Sequence, residues 1–364
     1  MEDPPRFTHL TLHQRKWVRI VCGYVAGMAL GLSGVVWSKA VIADVWTLSL
    51  LLFTAILCLA LCWMLEPERK RLLCASFLLL GLLVTGSQEM ILALPGLVLI
   101  AMLGDRDLGR DLALAVLPLA AILGSWNQFG VWIGFPRQWN GPSLIVFTVV
   151  VVLGIGLVLA TRCFGSTWKF ALLCLTSFVL GLSLCLYLPV ASMTNPPMNW
   201  GDARAIGGFF HLLTRSQYEF VHPTDGLDRF ARQLWMFLKM SGKEWGWLYF
   251  LPAALPLCLI LGASQAARKW LFALVMVFLC TGPMLLAEIN PGADHMSQEL
   301  AKCYFMPAFA TVSIMAGLGL VIAIGLMTNQ NPCWRRRAAL SLCLHPQQRT
   351  LGTVRRIMKA PRRV

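Results

Sequence analysis

Leu186-Tyr-Leu-Pro-Val-Ala-Ser-Met-Thr-Asn-Pro-Pro-Met-Asn-Trp-Gly-Asp202 starts as the apolar end of a membrane helix. It breaks at Pro189 into a polar loop that runs to about Trp245. That loop is the only long hydrophilic segment between two apolar runs of spanning length, so extramembrane chemistry or recognition must largely be housed there. Around it the chain is mostly hydrocarbon: 57% of residues are hydrophobic, 13% are charged, and mean hydropathy is +0.68. Ordinary soluble domains carry about a quarter charged residues, and a soluble core of this size would show helices with polar faces throughout. The short alternating segments of a β-barrel are absent. The composition specifies an all-α, polytopic helical membrane protein.

Apolar runs of roughly 20 residues place spans near Val18–Trp37, Val45–Leu65, Leu72–Gln88, Met90–Gly104, Leu112–Trp126, Leu144–Ala160, Phe170–Val190, Leu248–Gly262, Leu271–Leu286 and Phe305–Met327. That makes about ten transmembrane helices. The pair flanking Gly86-Ser-Gln-Glu89 reads as two short spans or as a re-entrant element, since polar backbone at membrane depth needs protein or water around it.

Lys and Arg in short loops set the orientation. Arg6, Arg15, Lys16 and Arg19, then Arg69-Lys70-Arg71, Arg106 with Arg110, Arg162 with Lys169, Arg268-Lys269 and the tail after Met327 alternate with poorer loops holding Lys39, Arg137 and Lys302. Both termini are therefore expected in the cytoplasm and the Asn195–Trp245 loop outside. On this reading residues 1–17 are a cytoplasmic N-terminus and 18–190 a first group of membrane helices. Residues 191–247 form an extracytoplasmic loop with interfacial helices, 248–327 the last helices and 328–364 a basic cytoplasmic tail. The first apolar stretch follows basic residues, lacks a convincing cleavage site and reads as a signal anchor.

The net charge of +14 is largely topogenic, so no nucleic-acid partner is expected and membrane lipids are. Eight of the twelve cysteines lie inside apolar spans as small hydrophobes. His211 and His222 share the outer loop eleven residues apart, which is not a metal-ligand pattern, so no metal is expected.

Three runs carry a resemblance. The main one is Tyr187-Leu-Pro-Val, Asn195-Pro-Pro-Met-Asn-Trp-Gly-Asp202 and Phe209-Phe-His-Leu-Leu-Thr-Arg-Ser-Gln-Tyr218. Weaker matches in the same order are Leu32-Ser-Gly-Val-Val-Trp-Ser-Lys-Ala-Val-Ile-Ala-Asp-Val-Trp46, similar to a W-x-x-A-V-x-A-E-V-Y segment, and Cys303-Tyr-Phe-Met-Pro-Ala-Phe309, similar to R-Y-F-L-P. From about Gly31 to Gly319 the chain resembles a polytopic family of bacteria and eukaryotes whose members include the transmembrane protein 260 type of protein O-mannosyltransferase. The resemblance implies a GT-C-like architecture with an extracytoplasmic site and a polyprenyl- or dolichyl-phosphate sugar donor. The acceptor it implies is a protein or glycan, such as a protein Ser/Thr. No cofactor is implied beyond the lipid-linked donor, which is a substrate.

The chain departs from the family's pattern. The W-x-x-A-V-like segment comes directly after the first span, so the loop that usually bears the catalytic carboxylate, with its H-P-P-G-like motif, has no counterpart. The resemblance therefore implies a truncated or inactive homologue. Asp44 stands for the usual Glu, Trp46 for Tyr, and Gln88 where His is common.

Sugar transfer from a lipid phosphate needs a base for the acceptor hydroxyl and cationic donors for the leaving phosphate. Asp44 and Asp202 are the candidate catalytic carboxylates. The alternative reading of Asp44 is the N-cap of the next span, and that of Asp202 the cap of a helix beginning near Ala203 with Gly201 making the turn. Arg204 and Arg215 are candidates for phosphate, or else solvate an interfacial helix. Asn195, Asn199, Trp200, Gln217 and Tyr218 complete the candidate substrate set, with Trp200, Tyr218 and Trp245 able to stack on sugar or to serve as belt residues. Lys39 and Glu89 join it as ionisable groups near membrane depth. Glu288 and Glu299, in the last outer loop, are placed to pair with Lys302, and Arg137 and Trp139 to meet a donor headgroup. The competing classes are a membrane transporter, for which Glu89 is the main argument, and a non-catalytic lipid-binding membrane protein.

Overall fold

The computed structural model describes residues 12–42, 44–124, 167–197, 199–213, 224, 226–260 and 264–328. Among them there is helix and no strand. The first helices are α1 (Leu12–Gly31), α2 (Gly34–Ala40), α3 (Val45–Leu65) and α4 (Lys70–Gly86). A 3-10 turn, Gln88–Leu92, leads into α5 (Ala93–Gly104), followed by α6 (Arg106–Gly124). Next come α7 (Trp168–Leu182), a 3-10 segment at Ser183–Leu186, α8 (Tyr187–Met193), a 3-10 turn at Trp200–Asp202 and α9 (Ile206–Leu213). The remainder is α10 (Leu227–Trp245), α11 (Phe250–Cys258), α12 (Gln265–Leu279), a π-helical stretch at Cys280–Met284, α13 (Leu285–Ile289), α14 (His295–Tyr304) and α15 (Met306–Thr328).

The chain forms two compact units. One draws on Met1–Ala43, Asp225–Leu286 and Pro291–Val364, the other on Asp44–Thr224 and Ala287–Asn290. In the second, α4 lies between α3 and α7, and α6 packs on α5 and α7. The Lys70 ammonium sits 5.2 Å from the Phe170 ring, and Cys74 Sγ lies 3.9 Å from Cys174 Sγ. A Cβ on Gly81 would overlap the Phe178 carbonyl, and one on Gly181 the Leu78 carbonyl. Small residues let two backbones touch where no water drives helices together. The three contacts rise together along both helices, so α4 and α7 run parallel. The three spans expected between them are Met90–Gly104, Leu112–Trp126 and Leu144–Ala160, the last of which lies outside the described residues.

In the first unit α1, α11 and α12 pack on α15. A Cβ on Gly319 would overlap the Pro252 carbonyl, so α11 and α15 touch backbone to backbone. Phe237 of α10 packs its ring 4.9 Å from Phe305 and 6.1 Å from Phe309, and Tyr249 donates to Ser313 Oγ at 3.1 Å.

Among the described residues four helices are long and apolar enough to cross a membrane: Val45–Leu65, Trp168–Met193, Gln265–Ile289 and Met306–Met327. The α1–α2 pair makes a fifth if counted as one broken span. The chain is an all-α membrane protein, but the ten predicted spans are not reached here, and most of Leu112–Trp126 has no described side chains. Three expectations are corrected. Val18–Trp37 is not one helix, because α1 and α2 meet at 68° across Leu32-Ser33. Ser33 is extended (φ −62°, ψ 144°) and returns its hydroxyl to the Leu30 carbonyl. Among the described residues of Leu248–Gly262 the apolar helix is a short one, Trp247–Cys258, with Pro256 inside it.

Helix also continues through Pro189, to Met193. The proline sits in the first turn of α8, and the preceding segment has tightened to 3-10 geometry, with Tyr187 N–H donating to the Leu184 carbonyl. That tightening frees the carbonyl four residues before the proline from a donor the ring lacks.

Candidate functional site

The polar run after α8 folds into a connected cluster. Ser192 donates to Asn199 Oδ1 at 2.9 Å, and Asn199 Nδ2 reaches Asp202 Oδ1 at 3.3 Å. Arg204 donates through Nε to Asp202 Oδ1 and through Nη1 to Asn195 Oδ1, each at 2.6 Å. The two acceptors that hold this guanidinium both have left-handed backbone, φ 49° at Asn195 and φ 44° at Asp202. Asn and Asp tolerate that region better than other side chains do. Positive φ in non-glycine residues persists where surrounding structure over-determines it; here both residues also give a side-chain oxygen, one amide and one carboxylate, to the same arginine.

Glycine makes the fold of this loop feasible. Gly201 has φ 68°, and a Cβ there would press on Leu212 at 2.8 Å. A Cβ on Gly208 would overlap the carbonyl oxygens of Asp202 and Gly201, so α9 lies directly on the Trp200–Asp202 turn. Helix α9 begins at Ile206 rather than near Ala203, and Asp202 is therefore not its cap. Its carboxylate goes to Arg204 instead. The hydrogen bond and charge of that guanidinium hold the Asp202 carboxyl below its ordinary range, and the same contact raises the Arg204 pKa. Arg204 Nη2 makes no hydrogen bond among the described residues, and the side chain is half-exposed.

The far end of α9 meets a second set of predicted residues. Gln88 donates from Nε2 to the Leu213 carbonyl at 2.7 Å, and Ser87 and Ser49 share a hydrogen bond of 2.8 Å. Glu89 lies in the same 3-10 turn, half-buried, and the charges of Glu89 and Glu288 act on one another. Glu288 belongs to the last turn of Gln265–Ile289, not to a loop, whereas Glu299 does pair with Lys302, at 2.6 Å. Asp44 caps α3 by accepting from Val45 N–H at 2.7 Å. It thus sits at the end of α3 near Ser49, the end at which Ser87 and Gln88 also lie. Lys39 is half-buried in the last turn of α2, and His211 is exposed on α9. The side chain of Trp200, together with Arg215, Gln217, Tyr218, His222, Arg137 and Trp139, lies outside the described residues.

Three contributors escaped sequence reading. Ser192 is one helical residue among many. Glu244, at the end of α10, accepts from Val35 N–H at 2.5 Å and so caps α2 across a separation of 209 residues. A Cβ on Gly34 would come within 2.9 Å of that carboxylate, which explains the glycine in Leu32-Ser-Gly-Val-Val-Trp37. Arg110, read as a topogenic charge, is buried against Asp111, with Nε and Nη2 at 2.9 and 2.7 Å from Oδ1. Asp111 Oδ2 accepts from Thr167 N–H and Oγ1 at 3.0 and 2.9 Å, joining the starts of α6 and α7. Trp245, expected as a belt residue, packs inward on Tyr249 and Phe309.

Comparison with known families bears out the resemblance read from Leu32–Trp46. Residues 7–108 match the model of the protein O-mannosyl-transferase TMEM260 N-terminal domain. The matched segment contains Lys39, Asp44, Gln88 and Glu89, and the Asn195–Tyr218 run lies beyond it. Comparisons with curated proteins and with solved structures returned no match.

Proposed function

We propose that this O-mannosyltransferase-like membrane protein binds a polyprenyl- or dolichyl-phosphate sugar through the Asn195–Arg204 cluster, as a GT-C-type transferase or a descendant of one. One observation carries the reading. Arg204 is oriented by two oxygens through Nε and Nη1, Nη2 takes no part in that pairing, and the side chain is half-exposed. A guanidinium so held is suited to a phosphate, whose oxygens match its planar fork. In transfer, the acceptor hydroxyl would attack the anomeric carbon as the sugar–phosphate bond breaks, the phosphate leaving with the bond's electrons. Arg204 stabilises the departing phosphate.

Asp202 serves this step by orienting Arg204. A carboxylate already bonded to a guanidinium and held below its ordinary range is a poor proton acceptor, because efficient bases have pKa values near the working pH. Of the two candidate carboxylates, Asp44 is the one assigned to the acceptor proton. The sugar is assigned as mannose and the acceptor as protein Ser/Thr on the strength of the matched family alone.

Binding of a polyprenyl-phosphate mannose to the purified chain in nanodiscs tests the reading. Arg204→Ala should weaken binding about 10- to 100-fold, and Arg204→Lys should recover only part of it, since an ammonium lacks the fork. Unchanged affinity in both variants would sink the proposal. Binding without transfer to acceptor peptides would favour the non-catalytic lipid-binding class. The reading also requires the cluster to face outside: Thr224→Cys should react with an impermeant maleimide added externally and Glu68→Cys should not.

A further inference from the structure

We propose that the exposed face of α10 is a bilayer-surface contact that gathers anionic phospholipid headgroups. This is independent of the donor site. Helix α10 has three sectors around its axis. The inward sector is formed by Gln233, Phe237 and Ser241, all buried, with Phe237 packed on Phe278, Phe305 and Phe309. Phe305 and Phe309 lie at the start of the span Met306–Met327, and Gln233 donates from Nε2 to the Pro291 carbonyl at 3.2 Å, just past the end of Gln265–Ile289. The helix is therefore seated where two spans approach one surface of the membrane.

The other two sectors face away from the protein. One is apolar: Leu227, Trp235 and Leu238 are exposed, Trp235 by 55%. The adjoining sector is basic and carries Arg229, Arg232, Lys239 and Lys243. Asp228 pairs with Arg232, and Lys243 shares the field of Glu299, which leaves the sector a net cation. Lys239 lies 5.3 Å over the Trp235 ring, so the seam between the two sectors is itself a contact. A helix with a basic stripe beside an exposed Trp and Leu flank suits the boundary between headgroups and acyl chains. A water-facing helix would gain nothing from the flank, and a helix buried in hydrocarbon could not afford the stripe. Positive charge selects headgroups of net negative charge over zwitterionic ones, whose phosphodiester is offset by their own cation.

The test uses the full chain with a bimane probe at Leu238→Cys, its other cysteines changed to serine, in vesicles of phosphatidylcholine with phosphatidylglycerol. Brominated lipid is introduced on one headgroup class at a time. Brominated phosphatidylglycerol should quench about fivefold more effectively than brominated phosphatidylcholine at equal mole fraction. R229Q/R232Q/K239Q should bring that ratio close to one. The native-cysteine chain gives a second measurement: Trp fluorescence quenching by the two lipids should differ less in W235F than in wild type. Equal quenching by both lipids, no quenching by either, or a preference unchanged in the triple variant would each overturn the proposal. Absence of quenching would place this face in water or against protein.

Discussion

Arg110–Asp111 and Asp202–Arg204 are the same pair of side chains in two settings, one at each end of the continuous helical run Trp168–Met193. At the starting end the pair is 2% and 1% exposed, and both Asp111 oxygens are used, by Arg110 and by Thr167. At the other end the pair is 44% and 58% exposed, and the aspartate holds the arginine without enclosing it. Enclosure makes an ion pair structural: its charges have lost water and depend on each other. Exposure leaves an ion pair worth little to folding but leaves the arginine able to take another anion. Chemistry alone does not distinguish the two pairs; their surroundings do.

The largest effect should come from breaking the buried pair on one side. Asp111→Ala takes away the buried partner of Arg110, leaves it the longer contact to the exposed Asp107 at 3.4 Å, and should cost about 3 kcal/mol, read as a loss of folded protein or a large fall in melting temperature in detergent. Arg110→Met with Asp111→Leu should be markedly milder, because no charge is left stranded. If the double variant is as unstable as the single one, the pair matters through shape and not through charge.

The exposed pair should answer differently. Asp202→Asn should leave the melting temperature near wild type while weakening binding of a polyprenyl-phosphate sugar, because Arg204 loses its charged anchor. The size should be about tenfold or less, smaller than for loss of Arg204 itself. A fall in stability without a change in binding would make the cluster structural, like its counterpart at the other end.

The smallest effect expected is on the pH profile. Burial would raise the Asp111 carboxyl, but the bonds from Arg110 and Thr167 together outweigh it and hold the group below its ordinary value. A carboxyl depressed on folding contributes stability above its unfolded pKa, about 3.9, and loses it as pH falls through the lower folded value. Melting temperature should therefore drop more steeply on acidification below about pH 4 in wild type than in the Arg110→Met/Asp111→Leu variant. Asp202 is depressed with the same sign, yet Asp202→Asn should follow the wild-type curve within error, because solvent screens an exposed pair.

The sequence by itself determined the class of the molecule and most of its long helices. Val45–Leu65 and the run ending at Met327 were legible because a bilayer demands about 20 apolar residues, and that demand is met locally. The value of the Asn195–Asp202 stretch was legible for a similar reason: polar residues, prolines and a Trp-Gly-Asp turn have no business in hydrocarbon. What only the tertiary structure decided are the relations between distant residues. Glu244 caps α2, Arg110 is buried, Gly81 meets Gly181, and helix passes through Pro189 because the turn before it tightens. Composition and periodicity report what each segment can bury. They do not report which partner removes a charge from water or lets two backbones touch, because that depends on residues far away in the chain.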